Sequence, residues 1–81
     1  MEKLIRFRVP KELANTQHKN ILELKGSLIA QGYTDIIHIS DEGEDFHINS
    51  FSVLPQQKNM ALEYITRYLN EKSLNHTVTL I

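Results

Sequence analysis

Apolar and polar residues alternate from Leu4 to Val9: Ile5, Phe7 and Val9 fall on one side, Leu4, Arg6 and Arg8 on the other. That period of two predicts a strand with one buried face. Pro10 ends it, because proline cannot donate to a ladder. After a polar stretch the period lengthens. Ile21, Leu22, Leu24, Leu28 and Ile29 recur at helical spacing, and the predicted helix runs from Thr16 or Gln17 to Gln31, with Thr16 as N-cap and Gly32 as the left-handed residue beyond its end. Gly26 inside it is read as close helix–sheet packing, not as a ligand approach. A second helix is predicted over 56–72: Pro55 suits a first helical position, and Met60, Ala61, Tyr64, Ile65, Tyr68 and Leu69 form a stripe opposite Glu63, Arg67 and Glu71. Tyr64 and Tyr68 are read as core-edge residues whose hydroxyls reach water. His76–Ile81 alternates again and predicts a closing strand, with Val78 and Leu80 on one face and Thr77 and Thr79 on the other.

Between the helices, Asp35–Leu54 reads as a hairpin. Ile37 and Ile39 share one face of its first strand, Asp35–Ser40; Phe46 and Ile48 share one face of the return strand. Opposed residues point the same way, so the pattern pairs Ile39 with Phe46, Ile37 with Ile48 and His38 with His47. Phe51 and Val53 resume the apolar face out of phase, which calls for a β-bulge at Asn49–Ser50. The turn Asp41–Asp45 supplies Gly43 and four carboxylates expected to face water.

The resulting order, β-α-β-β-α-β, predicts an α+β fold, a ferredoxin-like sandwich: a four-stranded antiparallel sheet in the order 4-1-3-2 with both helices on one face. Ile5, Phe7, Ile37, Phe46, Ile48 and Val78 would then meet Leu24, Leu28, Met60, Tyr64 and Ile65. The opposite sheet face would stay bare and carry Leu4, Arg6, Arg8, Ile36, His38, His47, Thr77 and Thr79.

Composition narrows the function classes. The 81 residues make one domain, 1–81, with 41% hydrophobic and 23% charged residues, as in a folded globule. A net charge of −1 gives no global attraction to nucleic acid or anionic membrane. Cysteine is absent, which excludes disulfide scaffolds, thiolate metal sites and cysteine nucleophiles. The opening MEKLIRFR has no long apolar run and is expected to be neither signal peptide nor membrane span, so a cytoplasmic location is expected.

Candidate chemistry is sparse. His38 opposite His47 would bring two imidazoles within reach of one ion, but zinc wants at least three protein ligands and no third is evident, so no metal or cofactor is expected. Asp41-x-Gly43-x-Asp45 lacks the spacing and bidentate glutamate of an EF-hand loop. The serines lie in no nucleophile-elbow context. Acylphosphatases share the topology but carry a glycine- and arginine-bearing phosphate loop after the first strand; Val9–Leu13 has no glycine.

What remains is the bare sheet face. Arg6, Arg8, His38 and His47 are the expected partner-binding residues of a small non-enzymatic module, an inhibitor or adaptor that docks a protein, with a homodimer also expected. The alternative is an RNA-contacting regulator, or a degenerate Cas2-like endoribonuclease, using the same cations on phosphates. RNA-recognition modules use this topology and this face, but they stack bases on central-strand aromatics, where arginine and histidine are expected here.

Overall fold

The computed structural model of the chain describes residues 2–81. Its elements are β1 (Lys3–Pro10), α1 (Asn15–Ala30), β2 (His38–Glu42), β3 (Phe46–Val53), a 3-10 turn (Pro55–Gln57), α2 (Lys58–Glu71) and β4 (Thr79–Leu80). The sheet is antiparallel throughout, in the order β2-β3-β1-β4, which is the expected order read from the other edge. Ile5, Phe7 and Val9 of β1 and Phe51 and Val53 of β3 join Ile21, Leu24 and Leu28 of α1 and Ala61, Ile65 and Leu69 of α2 in one buried cluster. Both helices therefore cover the same sheet face.

The expected bulge does not form. β1 and β3 pair without a break from Lys3↔Val53 to Pro10↔Phe46. Phe51 and Val53 set the parity from one end, and the regular ladder carries it to the other. His47 and Asn49 consequently face the helices, whereas Phe46 and Ile48 face away. A bulge would have turned Phe46 and Ile48 inward at the cost of disrupted ladder bonds. The strand instead keeps its ladder and buries Asn49, which is only 2% exposed.

The hairpin register shifts with it. Ile39 pairs with Asn49, Ser40 with Ile48, and Asp41 with His47, so His38 lies opposite Ser50 and not opposite His47. The strand begins later and ends later than its apolar residues predicted. Its last two residues are acids that find basic partners: Asp41 Oδ1 is 3.3 Å from Lys11 Nζ and also 3.3 Å from His47 Nδ1, and Glu42 pairs with Arg8. Gly43, at φ +66°, turns the chain within the short loop that remains. Lys11 then clips this turn to the end of β1, its backbone N–H donating to Asp45 O at 2.8 Å and its Nζ to Gly43 O at 3.1 Å.

Local signals explain the helices. Gln17 Oε1 accepts the Ala14 N–H at 3.0 Å, so the start of α1 is closed by a side chain reaching back, not by the expected Thr16 cap. At its other end Tyr33 N–H donates to Leu28 O and Gly32 N–H to Ile29 O, a Schellman motif with Gly32 at φ +83°, as expected. Pro55 opens the 3-10 turn that leads into α2. Tyr68 ties the helices together: its hydroxyl donates to Asn20 O at 3.0 Å and lies 3.2 Å from Glu23 Oε2. Desolvation first, and then the bond to Glu23 and that group's charge, hold this phenol above its ordinary pKa.

Met60, expected in the core, is exposed, and so are Leu22 and Ile29 of the helical repeat in α1. Leu74, just after α2, is fully buried instead, and β4 is shorter than its alternating sequence.

The end of α2 repeats the Schellman pattern, with Leu74 N–H donating to Leu69 O and Ser73 N–H to Asn70 O, but here the left-handed residue is Ser73, at φ 59°. A side chain at that backbone costs about 1–2 kcal/mol, partly offset by the greater unfolded-state freedom of glycine. Ser73→Gly is expected to stabilise the domain by roughly 0.5–1 kcal/mol, seen as a rise of a few degrees in the thermal midpoint. An unchanged or lower midpoint would show that the serine side chain compensates for its backbone.

Candidate docking face

Because β1 and β3 are the central strands, their outward residues form the middle of the bare face. Register aligns these residues in rows across the sheet. Pro10, Phe46 and Glu42 make one; Thr79, Arg8, Ile48 and Ser40 the next; Arg6, Ser50 and His38 the third; Leu4 and Ser52 the last. Arg6, Arg8 and His38 thus lie where the alternation of β1 and the start of β2 put them. His47 does not; it sits on the helix side against Asp41. Ile36 precedes β2 in a loop, and Thr77 lies in the turn before β4, so neither belongs to the sheet surface.

The two arginines differ in their freedom. Arg8 Nε donates to Glu42 Oε1 at 2.5 Å, and its guanidinium lies 5.5 Å from the centroid of the Phe46 ring, within cation–π range. Arg6 is exposed and has no ion-pair partner among the described residues. One residue up, Ile81 N–H donates to Arg6 O at 3.0 Å, which brings the exposed Ile81 alongside. Ile48 is 9% exposed although it faces away from the core, lying between Arg8 and Ser40 on the neighbouring strands. The face is therefore amphipathic: Leu4, Ile81 and the 36%-exposed Phe46 stand around a small-residue bed, with one free and one compensated guanidinium.

Sequence reasoning missed Phe46, Ile48 and Glu42 on this surface. The signal that could have placed them was the parity of Phe51 and Val53, extended along an unbroken strand. No group of three His, Asp or Glu side chains is placed to hold a metal ion among the described residues. Nor is any helix among them long and apolar enough to cross a membrane. Comparison with family models, curated proteins and solved structures finds no match, so no activity or fold name comes from a relative.

Proposed function

We propose that the chain is a small non-enzymatic interaction module of ferredoxin-like architecture, and that it docks a protein partner through the open sheet face. The observation that carries this reading is the composition of the face. An unpaired Arg6 on a central strand stands beside exposed Leu4 and Ile81, and exposed Phe46 lies farther along the same face next to Arg8. Exposed apolar side chains beside an unpaired guanidinium suit a protein surface that offers a carboxylate ringed by apolar groups. Arg6 is held by ladder bonds on both sides of β1, so docking costs little ordering of its backbone. A second copy of the chain is one such partner, and a two-fold pairing would cover both faces at once.

One feature favours the RNA alternative: Phe46 is an aromatic on the open face of a central strand, where bases stack in RNA-recognition modules. Its surroundings count against it. Glu42 neutralises Arg8 beside the ring, and the adjoining turn carries Glu44 and Asp45, which repel phosphates.

The experiment is to isolate the protein under native conditions, identify what co-elutes, and titrate the complex with salt. Arg6→Gln combined with Arg8→Gln is expected to leave the unfolding midpoint nearly unchanged, within about 0.5–1 kcal/mol, and to weaken the partner several-fold. Salt dependence should be shallow. A steep fall of affinity with salt and an RNA in the eluate would favour the alternative. Unchanged affinity in the double variant would remove this face from consideration.

A further inference from the structure

The helix side of β2 presents a second surface, independent of the docking face. A groove of about 190 Å3 runs between α1 and the edge of the sheet, lined in part by Ile21, Leu22, Lys25, Ile39, His47 and Asn49. Its two apolar flanks are bare: Leu22 is 64% exposed and Ile39 56%. Its polar groups are unsatisfied. Asn49 Oδ1 is buried with no hydrogen-bond partner, and so is His47 Nδ1, which has only the 3.3 Å approach of Asp41. A buried carboxamide without a partner costs stability unless an incoming group bonds it.

Three properties identify the occupant. The groove is smaller than the roughly 300–1,000 Å3 of small-molecule sites, so it suits one side chain and not a cofactor. It opens beside β2, which is the outermost strand and pairs only with β3 among the described residues, leaving its outer row of backbone groups for another chain. It offers one basic side chain for recognition: Lys25 lines the groove with no carboxylate partner among the described residues, while Asp41 is already shared between Lys11 and His47.

We infer that β2 accepts an added strand from a partner protein, an extended segment whose aliphatic side chain fills the groove between Leu22 and Ile39 and whose carboxylate side chain meets Lys25. Strand addition draws affinity from main-chain bonds and specificity from pockets that take alternate side chains. Residues two apart in a strand share a face, so the recognised pattern is an aliphatic residue and an acidic residue separated by one position.

The test uses a display library of random linear peptides selected on the whole chain. Enriched peptides are expected to carry the aliphatic-x-acidic pattern and to shift the amide resonances of residues 38–42. Ile39→Thr and Leu22→Gln remove exposed side chains, so matching urea midpoints will show that the fold is kept; each should weaken the peptides about tenfold or more. Lys25→Gln should weaken them less and flatten their salt dependence, and Arg6→Gln on the opposite face should change nothing. Failure to enrich any peptide, or peptides whose affinity survives Ile39→Thr, would overturn the proposal. So would self-association abolished by Ile39→Thr with no peptide bound, because a second copy would then be the occupant.

Discussion

Phe51→Ala is expected to cost about 3–5 kcal/mol, the usual range for truncating a buried phenylalanine. Phe51 is wholly enclosed on the helix side of a central strand, opposite Ile5, so little can collapse into the space it leaves. At about 0.05–0.15 kcal/mol per residue, a chain of 81 residues has only roughly 4–12 kcal/mol to lose. The variant should therefore be partly or wholly unfolded at room temperature by circular dichroism. Phe46→Ala, five positions earlier, removes an equal side chain from the open face and should cost only about 1 kcal/mol, mostly its packing against Arg8. The contrast tests the register directly. If β3 carried the bulge that the sequence pattern suggests, both phenylalanines would face the helices and the two substitutions would be similarly damaging.

Asn49→Val should act in the opposite direction and raise stability by about 1–3 kcal/mol. Asn49 faces the core of a regular strand, in register with Phe7 on one side and Ile39 on the other, and its carboxamide oxygen has no partner. Valine removes the desolvated polar group, has a similar size, and favours the strand backbone. The measurement is the urea midpoint at unchanged slope, so that a rise reports stability and not a change in the unfolded chain. A lower midpoint would mean that the amide is satisfied in solution, for instance by a water bridging it to His47.

Much of the fold was legible because local signals agreed with the global arrangement. The β1 alternation, the α2 stripe of Ala61, Ile65 and Leu69, and the Gly32 C′ position all lie where the pattern puts them. The central hairpin was not. Its residues give two incompatible parities, Phe46 with Ile48 and Phe51 with Val53, and side-chain polarity alone cannot decide which a continuous ladder will honour. Nor does the sequence disclose that Lys11, Arg8 and His47 converge on Asp41 and Glu42, because those contacts join segments thirty or more residues apart, His47 excepted. Leu22 and Ile29 follow the helical period but fall on the flank of α1. For the candidate docking face, Arg6, Arg8 and His38 needed only the alternation of their own strands. Losing His47 from the face, and gaining Phe46 and Ile48, both follow from the one error of parity.

The edge position of β2 also divides the molecule into parts of unequal persistence. No residue of this strand belongs to the buried cluster, and it is held by one neighbour and by the side-chain pairs of Asp41 and Glu42. β1, by contrast, has β3 along its whole length, β4 on its other flank and both helices above it. Detaching β2 would uncover Ile48 and Asn49 on the flank of β3 but touch no residue-to-residue packing of its own in the buried cluster, whereas opening β1 dismantles the core. Opening of this kind is set by how much packing is lost, and segments with few buried contacts separate at a small fraction of the global free energy. The amides of β2 are therefore expected to exchange with solvent sooner than those of β1, which open only when the cluster of Ile5, Phe7 and Phe51 does.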